Sequence, residues 1–153
     1  MRLTVFSPCR TYRYSLWREF DMLNLNYAVF IGLNPSTADE VQDDPTIRRC
    51  IGFAKRFGVG ALCMTNIFAY RATNPEVMKQ QDDPIGPEND QWISADAKNA
   101  SVIVAAWGVH GTHLDRGAAV VKLLPRLSCL GVTSKGHPRH PLYLPSDAAL
   151  CEF

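Results

Sequence analysis

The sequence predicts an α/β fold, a three-layer α/β/α sandwich around a central, mainly parallel four-stranded sheet, and three observations carry that expectation. Four short apolar runs, residues 27–33, 61–67, 101–107 and 127–132, are too continuous for half-exposed strands and read as strands covered on both faces. Stretches with helical character separate them, and strands alternating with helices imply parallel pairing through right-handed crossovers. The length of 153 residues, with 46% hydrophobic, 20% charged and 10% aromatic positions, suits one domain, residues 1–153, with a sizeable core.

Taken in order, residues 1–26 read as a flanking strand or cap ahead of an α/β core over 27–153. Tyr12, Tyr14 and Leu16 alternate with Arg13, Ser15 and Trp17 as in a strand, while Glu19 to Leu25 has helical potential. The first helix is expected over 45–57: Asp44 suits its N-cap, Pro45 its first position and Gly58 its stop. Residues 74–89 hold Pro75, Pro84, Gly86 and Pro87 and read as the longest loop or irregular segment. Helices over 87–100 and 114–124 complete the alternation.

Sixteen Lys and Arg against fifteen Asp and Glu leave a net charge of +1, so affinity for a polyanion would have to come from where the charges sit. No apolar run approaches the roughly 20 residues needed to cross a bilayer, and the opening residues lack the apolar core of a secretion signal. The expectation is a cytoplasmic protein with no membrane partner. Five cysteines without a Cys-x-x-Cys pair suit reduced thiols, and Cys63 and Cys129, inside apolar runs, read as buried small hydrophobes.

In parallel α/β sheets ligands bind beyond the carboxyl ends of the strands, which directs attention to four segments. The first, Gly32-Leu33-Asn34-Pro35-Ser36-Thr37, offers a permissive glycine, a rigid proline and an amide that can hold a water, or else forms an Asn-Pro turn. Asp39, Glu40, Asp43 and Asp44 follow, and Asp39 is the candidate carboxylate for general-base work or for stabilising a cationic transition state. The second segment carries Asn66, able to read the edge of a planar base, and Phe68, able to stack on one or to pack in the core. The third, Trp107-Gly108-Val109-His110-Gly111-Thr112-His113, allows close backbone approach to a ligand or a phosphodiester. In the fourth, His137-Pro138-Arg139-His140-Pro141-Leu142-Tyr143, two prolines stiffen a loop that presents a titratable imidazole. The two His-x-x-His pairs, His110 with His113 and His137 with His140, raise a metal-dependent hydrolase as an alternative, although no companion cysteine or carboxylate has ligand spacing.

The order of these motifs resembles the uracil-DNA glycosylase superfamily. Its loop of Gly-x-(Asp or Asn)-Pro, its Asn-bearing strand, its Trp-Gly strand and its His-Pro loop correspond to Gly32-Leu33-Asn34-Pro35, Leu62 to Asn66, Ala106-Trp107-Gly108 and His140-Pro141-Leu142-Tyr143. A closer resemblance, reaching back to Cys9–Tyr14, is to domain-of-unknown-function family 1643 of bacteria and phages. It rests on residues 33–39, on Asp43 to Cys50, on Ala106-Trp107-Gly108 and on residues 138–143.

The glycosylase resemblance implies cleavage of an N-glycosidic bond in DNA or a nucleotide after base flipping, without a cofactor. Asn34 would position the water and His140 would stabilise the departing base. Gly32, Pro35, Ser36, Thr37, Asn66 and Phe68 would form the base pocket. Arg48, Arg49, Gly108 and Arg139 would meet the DNA backbone, with Leu142 or Tyr143 as the wedge. Typical members carry a bulky aromatic where this chain has Ser36, so the pocket is expected to admit a 5-modified pyrimidine as well as uracil. They also continue the last motif as His-Pro-Ser-Pro, where this chain has Leu142 and Tyr143. A base or nucleotide binder without catalysis on the same scaffold is the alternative from a different class.

Overall fold

The computed structural model describes residues 3–153; Met1 and Arg2, which open both the flank and the stretch scanned for a secretion signal, lie outside the described residues. The strands are β1 (Thr4–Phe6), β2 (Arg13–Glu19), β3 (Tyr27–Gly32), β4 (Ala61–Asn66), β5 (Val102–Ala105), β6 (Ser128–Cys129) and β7 (Cys151–Glu152). They form one mixed sheet of seven strands in the order β1-β2-β4-β3-β5-β6-β7. Strands β4, β3, β5 and β6 run parallel to one another, whereas β2 joins β4, β1 joins β2 and β7 joins β6 antiparallel. The expectation of a four-stranded sheet is thereby corrected. β1 and β7 are too short to give a periodic signal. In β2 the alternation of polar and apolar residues hides that Arg13, Ser15 and Arg18 are buried like their apolar neighbours.

Side chains of β3 alternate between two apolar layers. Ala28 and Phe30 face α1 (Pro45–Arg56), and Val29 and Ile31 face the side of α2 (Pro75–Lys79), α3 (Asn89–Ala97) and α4 (Arg116–Leu123). The α1 stripe of Ile47, Cys50, Phe53 and Ala54 is buried, and Phe53 and Phe57 stack on Phe30 with centroids 6.4 and 6.1 Å away. Asp44 caps this helix, accepting from the Ile47 N–H at 2.9 Å, and Gly58 ends it at φ +76°.

Elsewhere the elements differ from expectation for local reasons. Residues 19–25 form no helix, because Asp21 and Asn24 turn their side-chain oxygens onto the N–H groups of Leu23 and Asn26. The 74–89 segment contains the short α2, capped by Asn74. The helix expected from Leu114 starts at Arg116, since Leu114 and Asp115 adopt positive φ at the end of a 3-10 segment. Among the described residues no helix is long and apolar enough to cross a membrane.

Candidate functional site

The loops leaving β3 and β5 depart toward opposite layers, and this reversal opens a crevice at the carboxyl edge, the place where open α/β sheets in general bind ligands. A cavity of about 670 Å³ lies there, walled by residues from all but one of the four strand-end segments, among them Asn34, Ser36, Trp107, His110, Arg139 and His140. Beneath it sits a recess of about 30 Å³, room for about one water or one exocyclic atom, which shares the walls Asn34, Ser36, Asp44, Thr46 and His140 and adds Arg13, Gly32, Pro35 and Asn66. Asn34, Asn66 and His140, remote in the chain, therefore meet around one recess.

Each of the three is oriented. The Asn34 amide donates to the Ala72 carbonyl at 2.8 Å, which ties the β3 loop to the β4 loop and leaves its Oδ1 as the acceptor on offer. His140 caps the 3-10 turn of Pro141–Tyr143, its Nδ1 accepting from the Leu142 N–H at 3.3 Å. In the neutral ring that bond puts the proton on Nε2, a donor. Burial holds the His140 imidazole below its ordinary value, partly opposed by the Asp44 charge. Asn66 is buried against Gly32, where an added Cβ would lie 2.8 Å from its Oδ1, and its Nδ2 has no partner among the described residues.

Two groups at the recess were not among the candidates. Arg13 is buried, gives Nη1 to the Ala38 carbonyl at 3.0 Å and finds no partner for Nε among the described residues; burial lowers its pKa to about 10, so it stays cationic at neutral pH. Asp44 lines both compartments but spends its oxygens on the N–H groups of Ile47 and Ala38. The signal for Asp44 was its cap position; Arg13 had none, because a strand that alternates reads as half exposed. On the opposite wall His110 receives the Lys79 ammonium at 2.9 Å, and burial with that charge lowers its pKa.

Other candidates lie elsewhere. Phe68 is fully buried in the layer of α2 to α4, ring to ring with His113, and lines neither compartment. Asp39 faces away into its own loop, accepting from Val41 and Gln42 at 2.8 Å each, which holds its carboxyl below the ordinary range. Arg49 is taken up by the carbonyls of Pro141 and Leu144, and Arg48 by that of Asp43. Thr37, Gly108, Arg139, Leu142 and Tyr143 do line the large cavity, the last two with exposed side chains. The His-x-x-His pairs split: only His110 and His140 reach the cavity, and among the described residues no three His, Cys, Asp or Glu side chains gather as a metal site.

Fold and site together define an α/β protein with a donor-rich, histidine-bearing cleft at the carboxyl edge of its sheet. Residues 13–142 match the model of DUF1643, a protein family of unknown function, and the chain belongs to that family. No curated protein and no solved structure matches the chain.

Proposed function

We propose that the chain is an N-glycosidase that releases uracil or a 5-modified pyrimidine from DNA or a nucleotide. The observation that carries this reading is the meeting of Asn34, Asn66 and His140 around one recess. The N-glycosidic bond breaks as water held by Asn34 Oδ1 adds to the sugar carbon, the base leaves as an anion accepting a hydrogen bond from His140 Nε2–H, and the proton released by the water passes through solvent to that anion, giving a sugar hydroxyl and a neutral base. The unpartnered Asn66 Nδ2 and the Arg13 cation favour a ligand that projects an oxygen into the recess. Ser36 at the wall of a wide cavity leaves space for a 5-substituent.

One observation favours the non-catalytic alternative. Asp44, the carboxylate among the described residues that line the cleft, already accepts from two backbone N–H groups and is not free to activate water. Oligonucleotides carrying uracil or 5-substituted uracil, incubated with the protein and cleaved at abasic sites, separate the two. Strand breaks that depend on Asn34 support the glycosidase; tight binding without base release supports the binder.

A further inference from the structure

Away from the cleft, β6 and β7 bring two thiols together. Cys129 and Cys151 are directly opposed in the antiparallel pair, with their Sγ atoms 3.3 Å apart and both free. Cys129 is buried and Cys151 exposed. The separation needs to shorten only to the roughly 2.05 Å of a disulfide. Between these cysteines lie residues 130–150, which carry Arg139, His140, Leu142 and Tyr143 of the cavity wall. Just beyond Cys151, the Phe153 N–H bonds the Leu127 carbonyl at 3.1 Å and its ring meets Trp107 edge-on at 5.8 Å.

We infer that Cys129 and Cys151 form an oxidisable dithiol, a modification site for hydroperoxides, whose disulfide closes the segment bearing His140. The exposed Cys151 thiolate attacks a peroxide oxygen, the O–O bond breaks, and a sulfenic acid and hydroxide result. The Cys129 sulfur then attacks that sulfenic sulfur, the S–O bond breaks, and the hydroxyl leaves as water with the thiol proton. Two thiols and one hydrogen peroxide thus give one disulfide and two waters. Burial raises the Cys129 thiol and keeps it from solvent, so the exposed Cys151 is the sulfur that meets the peroxide first and Cys129 follows because it lies against it. Cys9 supplies an internal comparison: its hydroxyl neighbours Ser7 and Thr11 lower it to about 7, yet among the described residues its side chain meets those hydroxyls and no second thiol.

Peptide mapping tests this directly on the full chain after hydrogen peroxide, catalase and alkylation under denaturing conditions. The expected product is a Cys129–Cys151 peptide pair two hydrogens lighter than the free thiols, reversed by dithiothreitol, with Tm raised by about 5–10 °C. Cys151→Ser, at an exposed position, should remove the cross-link and the Tm rise together. Cys151 found as sulfinic acid, or joined to Cys9 of another molecule while Cys129 remains alkylatable, overturns the dithiol. A cross-link that leaves Tm unchanged overturns the bracing of the segment.

Discussion

At the carboxyl end of β3 the chain buries Arg13, Asp44 and Asn66 among apolar neighbours, whereas at the amino end of the same strand it leaves Met22, Leu23 and Leu25 almost wholly in solvent. The two choices differ in cost. Scattered apolar side chains on a surface are common, and here backbone turns set by Asp21 and Asn24 hold them out. Burying an amide without full partners costs about 1–3 kcal/mol and a guanidinium more, and core packing has no use for either. The buried polar end, more than the exposed apolar one, is where the proposed function puts its ligand.

The comparison sharpens most through Trp107, whose indole is buried at the carboxyl end. Trp107→Ala should lower unfolding free energy by about 3–5 kcal/mol in urea titrations. Asn34→Ala or His140→Ala should cut base release by about 10²–10³-fold with an unchanged far-UV spectrum. Full turnover in either variant would break the assignment of that end as catalytic. Gly32→Ala puts a Cβ 2.6 Å from Met64 Cε and 2.8 Å from Asn66 Oδ1, so a loss of about 1–3 kcal/mol and weakened ligand binding are expected.

A smaller effect follows from protonation. His140 and His110 are both lowered in the folded chain from an ordinary 6.5, so the unfolded chain binds protons first as pH falls. Their stabilisation is full above that ordinary value and is lost as pH drops through it toward the folded pKa. Tm measured against pH should decline on the acid side, with a shallower slope in His140→Gln. At the amino end, Leu23→Ser should change stability by no more than about 0.5 kcal/mol and leave activity unaltered. A large effect there would erase the contrast.

The parallel strands and α1 were legible because each carries a local signal: a continuous apolar run, or Asp44 and Pro45 ahead of an apolar stripe. The carboxyl-end rule then found Asn34, Asn66 and His140. Asp39, Arg49 and Phe68 misled because residue type tells what a side chain can do but not which partner takes it first. Asp39 is claimed by N–H groups two and three residues on, Arg49 by carbonyls about ninety residues on, and Phe68 by the core. Arg13 was hidden for the converse reason, its burial being fixed by layers that the flank alone does not reveal.

The grip of Arg49 on Pro141 and Leu144 bears on timing. With α1 holding the 141–144 turn in place before any encounter, the freedom of that turn is surrendered during folding and is not charged again at each visit by a ligand. Association should then proceed as a single docking event, with no slow conformational phase in stopped-flow traces. Freeing the turn through Arg49→Met should introduce one, even though Arg49 itself lines neither compartment.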